Sequence, residues 1–267
     1  MNWAPVTERV QARIDGFPAR AMAATLDRDE SFPDGAQLPP LWHWFHALKL
    51  YPLAEAGPDG HQALGHFLPP LPLPRRMWAG GRLTFHAPLR IGAEVTRESV
   101  EAQVAEKTGR SGPIAFVTVR HLWRDSEALL IDEEQDIVYR RADAPPGAVV
   151  MAPVNETLRR EMVAGPVLLF RYSALTFNGH RIHYDRDFCA AEGYDGLVVH
   201  GPLLASLLLD LLRIEGGLVP RSFSFRAMAP VMADRRFSLC ARIEAAEAHL
   251  WVRREDGVMS MEARATL

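Results

Sequence analysis

The sequence predicts an α+β fold in which one buried helix is wrapped by one curved antiparallel sheet, an arrangement made twice along 267 residues. Three observations predict it. Each half carries the same succession of strand-like runs, one helical stretch is apolar nearly all round, and a proline-containing seam separates the halves.

The seam is Arg141-Ala-Asp-Ala-Pro-Pro-Gly-Ala-Val-Val150, whose two prolines and glycine disfavour helix and central strand. It divides the chain into an N-terminal unit, residues 1–143, and a C-terminal unit, residues 151–267. In the first, Arg82 to Leu89 leads through an x-Pro-hydrophobic break into alternating runs at Glu94–Val104, Ile114–Trp123 and Ala128–Tyr139. In the second, Arg221 to Val231 leads into Phe237–Glu244, Ala248–Arg253 and Val258–Thr266. The helix of the second half is Gly201 to Arg213, with Pro202 in its first turn, where a missing N–H costs nothing. In the first half, Leu41 to Leu50 is the expected helix. Phe67 to Gly81, with four prolines, is expected to run extended, as a connector or as a wall of a groove.

Composition narrows the function. With 48% hydrophobic and 24% charged residues the chain is globular, and a formal charge of −3 provides no global field for nucleic acid or an anionic membrane. Two cysteines, Cys189 and Cys240, support neither a disulfide framework nor a thiolate zinc site. The N-terminus lacks a signal-peptide pattern, and the longest apolar stretch, Leu203 to Leu212, is interrupted by Asp210 and too short to span a bilayer. A cytoplasmic protein is expected.

Chemistry concentrates in Arg171-Tyr-Ser-Ala-Leu-Thr-Phe-Asn-Gly-His-Arg-Ile-His-Tyr-Asp185, continuing to Val198-Val-His-Gly-Pro202. Leu168 to Phe177 reads as a strand that runs into a polar turn with Asn178, His180, His183 and Asp185. A second turn brings His200 and Gly201 to the start of the buried helix. Titratable residues crowded between apolar elements are what a site looks like. His180 and His183, with Asp185 or His200, also admit a metal reading, but no long helix holds them on one face. His180 to Asp185 also spells the His-x-x-x-x-Asp of some acyltransferases.

The same stretch resembles the MaoC-like hydratases and dehydratases of the hotdog fold, whose motif runs Asp-x-Asn-Pro-x-His-x-Asp. Asn178 falls at the first Asp, His180 at the Asn, Arg181 at the Pro, His183 at the His and Asp185 at the last Asp; His200-Gly201 falls at the His-Gly before the central helix. Thr176 to Asp185 is similar to the mesaconyl-CoA and itaconyl-CoA hydratase branch and related acyl-thioester dehydratases, as is Arg75-Arg-Met-Trp-Ala-Gly-Gly81 of the first half. The resemblance implies a double hotdog fold, a homodimer and a catalytic motif confined to the second half. It also implies reversible hydration of an enoyl-CoA thioester, with coenzyme A as part of the substrate and neither cofactor nor metal.

The roles that follow are expectations. His183 is the base; Asn178, which cannot take a proton, orients water or imidazole. Gly201 offers its N–H to the thioester oxygen and lets the thioester approach the backbone. His180, Asp185 and His200 support, with Asp185 a candidate to orient His183. Arg75, Arg76, Trp78, Arg171 and Arg181 bind substrate, the arginines meeting phosphates or a second carboxylate; Arg186 lies beside them. Three other readings stand: an acyl carrier protein dehydratase, a non-catalytic thioester-binding module, and a hotdog thioesterase. The last is disfavoured because Asp210 lies nine residues after Gly201, late for the acid those enzymes carry in the central helix.

Overall fold

The computed structural model describes residues 4–109, 112–126, 128–141 and 147–267. Residues 142–146 of the expected linker lie outside them. Strands β1 (Glu8–Arg13), β2 (Arg75–Phe85), β3 (Glu94–Gly109), β4 (Gly112–Asp125) and β5 (Ala128–Arg140) come from the first half. Strands β6 (Leu158–Val163), β7 (Ser222–Ala227), β8 (Arg236–Glu244), β9 (Glu247–Arg254) and β10 (Met259–Thr266) come from the second. All ten form one antiparallel sheet in the order β1-β3-β4-β5-β2-β7-β10-β9-β8-β6. From either edge to the middle the order is the same, so the sequence repeat is a structural one.

The join is β2 on β7, with Gly80 opposite Arg226 and Thr84 opposite Ser222. A Cβ on Gly80 would lie 2.4 Å from the Phe225 carbonyl oxygen, and one on Gly81 2.6 Å from that of Glu134. Glycine is therefore what lets β2 fit between β7 and β5, at a bulge between Trp78 and Gly80.

Helix α4 (Gly201–Gly216) is the central helix of the second half, with every residue from Leu203 to Leu212 buried. It packs on β6, β8, β9 and β10, covering Leu239, Leu250, Val252 and Met261. Each buried leucine contributes on the order of 2 kcal/mol. Asp210, 2% exposed, is neutralised by Arg28 at 3.1 Å and Arg213 at 3.0 Å, and Arg213 also chelates Glu30. A carboxylate so committed has no part in thioester hydrolysis.

Three expectations are corrected. Leu168–Phe177 is not a strand: Pro166–Thr176 forms helix α2, started by Pro166 and closed by Phe177 in the left-handed region. Leu41–Leu50 is not a helix. Only Trp42–Phe45 makes a 3-10 turn, because Ala47 turns left-handed (φ 47°) and Trp42 and Phe45 both bury. The helix of the first half is α1 (Gly16–Thr25), capped by Asp15 and packed against α2. The extended segment after Pro74 is the first part of β2.

Candidate active site

His183 sits in a 3-10 turn, Arg181–His183, between α2 and the short helix α3 (Arg186–Ala191). The ring is 7% exposed, and its Nδ1 lies 2.7 Å from the Val198 carbonyl oxygen. A carbonyl can only accept, so Nδ1 carries the hydrogen and Nε2 keeps its lone pair. Val198 N–H bonds back to Ile182 O, fixing the two segments as a unit.

His200, fully buried, stacks on His183 with centroids 3.5 Å apart and planes at 20°. Its Nε2 meets Ser173 Oγ at 2.8 Å. Burial pushes His183 down to about 4, against the raising effect of its bond to Val198. Burial, with the fields of His183 and His180, holds His200 well below the ordinary range. Both rings are neutral near pH 7, and His183 keeps its lone pair on Nε2.

Asn178 Oδ1 accepts from the His180 amide at 2.9 Å, closing a turn and leaving the Asn178 NH₂ without a partner among the described residues. His180 packs edge-on to His183 at 5.6 Å. Burial first, then the neighbouring imidazoles His61 and His183, push His180 down to about 3. Asp185 does not orient His183. Its Oδ1 caps α3 by accepting from Phe188 N, and its Oδ2 accepts from Arg181 at 2.7 Å. These same two contacts hold its carboxyl below the ordinary range.

Gly201 begins α4, so its N–H has no partner one turn back and lies at the positive end of the helix. A Cβ there would meet the Trp78 ring at 2.9 Å. The glycine thus makes room for an indole, whereas sequence reasoning assigned that room to the thioester. Trp78 in turn stacks on Phe225 at 4.5 Å and meets Trp44 edge-on.

These groups line a cleft of about 1550 Å³ between the halves, shared by His183, His180, Asn178, Gly201 and Trp78. Of the expected arginines, Arg75 pairs with Glu192 at 2.8 Å, Arg76 chelates Asp59, and Arg181 is held by Asp185. Arg171 stands on the exposed face of α2 outside the cleft lining, a consequence of the segment being helix. Arg186 is exposed, 3.8 Å from Asp234.

Sequence reasoning placed Arg75, Arg76 and Trp78 of the first half at the cleft but missed the loop around Asp59 and His61. The segment after the 3-10 turn Leu53–Glu55 docks on the catalytic turn: Arg181 N donates to Asp59 O at 2.9 Å, and Gly60 and Gly179 meet backbone to backbone. A Cβ on Gly60 would lie 2.0 Å from Gly179 O. The docking sets the His61 ring 4.4 Å from His180. Asp59, His61 and His180 bring their ligand-type atoms within 4.8 Å of one another. Both Asp59 oxygens already face Arg76, at 2.9 and 3.1 Å. Burial would raise the Asp59 carboxyl, but the bonds to His61 and Arg76 outweigh it and keep it ionised. The only hint in the sequence is Asp59-Gly60-His61 itself, whose partner glycine is far away along the chain.

A neutral, oriented imidazole beside the N-terminus of a buried helix, in a cleft between the two halves of one sheet, has the make-up of an acyl-thioester hydratase or dehydratase. The comparisons agree. The Phytophthora capsici MaoC-like dehydratase superposes with a TM-score of 0.74 at 12% identity, over 99% of this chain and 96% of that one. A Mycobacterium tuberculosis protein described as having a double hotdog fold gives 0.61 at 13% identity, over 100% and 96%. At these identities the likeness establishes the fold alone, and that fold is the double hotdog. The model of the family "Hydroxyacyl-thioester dehydratase type 2" matches residues 41–233, and the chain belongs to that family. A Chloroflexus aurantiacus protein named mesaconyl-C(4)-CoA hydratase is 47% identical over 100% of this chain and 97% of its own length. The chain is an acyl-thioester hydro-lyase.

Proposed function

We propose that the protein reversibly hydrates an enoyl-CoA thioester whose acyl group is a branched dicarboxylic one of the mesaconyl or itaconyl type. The observation that carries the chemistry is the His183 Nδ1–H···O=C Val198 bond, which leaves a neutral Nε2 to take a proton from water as oxygen adds to the β-carbon. Asn178 holds the water with its free NH₂. The Gly201 N–H takes the charge that develops on the thioester oxygen, aided by the α4 dipole. Trp78 forms the wall against which the thioester lies.

The choice of acyl group is supported by likeness along the whole chain to a mesaconyl-C(4)-CoA hydratase. It draws no support from Arg75, Arg76 or Arg181, whose guanidinium groups are already met by carboxylates. The coenzyme A phosphates are assigned instead to Arg235 and Arg236 on the cleft lining, whose pairs with Asp195 at 3.5 Å and Glu161 at 3.3 Å are solvent-exposed and weak enough to be exchanged for a phosphate. The reading includes no metal and no cofactor beyond the substrate's coenzyme A. It extends to a cytoplasmic homodimer: Phe17, Val167 and Phe170 expose apolar surface on α1 and α2, and the free, buried Cys189 and Cys240 suit a reducing compartment. Among the described residues no helix is long and apolar enough to cross a membrane.

Loss of enoyl-thioester absorbance tests the substrate. Mesaconyl-C4-CoA or itaconyl-CoA is expected to exceed crotonyl-CoA in kcat/KM by at least about 10²-fold, roughly 2.7 kcal/mol, in the presence of a strong chelator. Equal values would move the assignment to a fatty-acyl dehydratase, assayed next with acyl carrier protein thioesters.

A further inference from the structure

Hydration needs a proton delivered to the α-carbon as well as one taken from water. His183, once it has taken the proton from water, can return one on the same face; a separate donor is not found within this turn near neutral pH. Asn178 is an amide. His180 and His200 are held neutral by burial. Asp185 is turned away to Arg181 and the start of α3. His61 differs from the other three imidazoles of the cluster in one respect: a carboxylate stands behind it. Asp59 Oδ2 lies 3.4 Å from His61 Nδ1, its Oδ1 accepts from the His61 amide at 3.1 Å, and Arg76 holds the carboxylate in place. A carboxylate facing Nδ1 fixes a hydrogen there and leaves Nε2 as the ring atom that exchanges the proton. His61 lines the same cleft as His183, on the other side of His180.

We propose that His61, delivered by the first half, is a second catalytic residue, the acid that protonates the α-carbon in hydration and the base that removes the α-proton in dehydration. The proposal rests on His183 as the base at the water.

In hydration a water proton passes to His183 Nε2 while the oxygen bonds to the β-carbon. The π electrons move to the α-carbon and thioester oxygen, and the α-carbon then takes the proton from His61 Nε2. The cycle ends with His183 protonated and His61 neutral, and solvent returns the proton from one to the other. Asp59–Arg76 is the orienting pair, and the Gly60–Gly179 contact fixes the distance between the two acid–base groups. The charged and titratable groups around His61 are Asp59, Arg76, His180, His183 and His200.

The test is the pH profile of kcat for hydration in the full-length protein carrying His61→Gln, with His183→Ala in parallel. Wild type should show a falling alkaline limb as His61 loses its proton. His61→Gln should lower kcat by roughly 10²–10³-fold and abolish that limb, leaving KM within about threefold. Asp59→Asn should shift the limb to lower pH, which a loop-packing role would not do. Wild-type kcat and an unchanged limb in His61→Gln, with His183→Ala inactive, would overturn the proposal and leave the His183 assignment standing. Full activity in His183→Ala would overturn both.

Discussion

The two halves share a strand order but bury opposite things beneath it. In the second half the inner face is apolar and covered by α4, ten consecutive buried residues long. In the first half the matching face carries a polar row, with Ser99, His121 and Glu133 opposite one another on β3, β4 and β5. Among the described residues no long helix covers it. The segment between α1 and β2 supplies two 3-10 turns instead, and His43, Trp44 and Gln135 satisfy the buried Glu133. Burial would raise that carboxyl, but the bond to His43 leads the contributions that hold it at about 2. A sheet without its helix leaves room for a cleft, and His46, Arg97 and His121 line it.

The loops after the paired helices α1 and α2 differ in the same way. After α2 the chain makes the turn that carries Asn178, His180 and His183. After α1 it carries Arg28 and Glu30, which grip Asp210 and Arg213 on α4. One topological position serves chemistry in one half and anchors the central helix in the other. The largest effect expected from breaking this contrast is on stability. Asp210→Ala leaves Arg28 and Arg213 with one carboxylate, Glu30, in place of two, and should cost about 3–5 kcal/mol. Folded Asp210→Ala should keep wild-type kcat. A urea midpoint unchanged from wild type would mean the network does not anchor α4.

The second contrast concerns protons. Burial is the leading cause that pushes His46 and His121 of the first half, and His183 of the second, down to about 4, and His180 to about 3. Each folded value lies below the ordinary histidine value near 6.5. The unfolded chain therefore binds more protons in this window, and stability falls with pH. The loss begins as pH drops through about 6.5 and continues to the folded values, at roughly 1.4 kcal/mol per pH unit for each histidine. Urea midpoints at pH 7, 6 and 5 should fall steadily, and His121→Gln should flatten the slope by one histidine's share. His121→Gln with the wild-type slope would remove His121 from the pH dependence and leave it to His46 and the histidines of the second half.

How much of this was legible varied with the physics of each segment. Eight long alternating strands and the apolar helix after Gly201 announce themselves, because period and burial agree. The edge strands β1 and β6 do not: each is six residues of mostly polar sequence whose exposure alternates. Leu168–Phe177 is a short apolar run, which periodicity alone leaves ambiguous between strand and helix. Only Pro166, at the first helical position, favoured the helix. The polar turn that brings Asn178, His180 and His183 together on the cleft was legible from its composition. His61 was not, because what makes it functional is a contact between Gly60 and Gly179, and spacing along a chain carries no trace of that.

The smallest effect expected concerns Asn178, where the second half departs from the MaoC-like motif it resembles. Asn178→Asp keeps the oxygen that accepts from the His180 amide, so the turn should survive. It replaces the NH₂ with a second carboxylate oxygen, putting a negative charge beside His180 and His183. A negative neighbour favours the charged imidazole, so the low His183 value should rise towards neutrality. The base is active when neutral. The acid limb of the kcat/KM profile should therefore move to higher pH, by about one unit if the new carboxylate is partly solvated. Activity at pH 8 should stay within a few-fold of wild type, while activity falls by about twofold at pH 5 and about fivefold at pH 4. The restored family residue would then weaken the enzyme in acid and add nothing in base, as expected if His61 already supplies the second acid–base group. A several-fold gain at pH 8 would mean that a carboxylate at position 178 takes over proton transfer, and that the first half is dispensable for it.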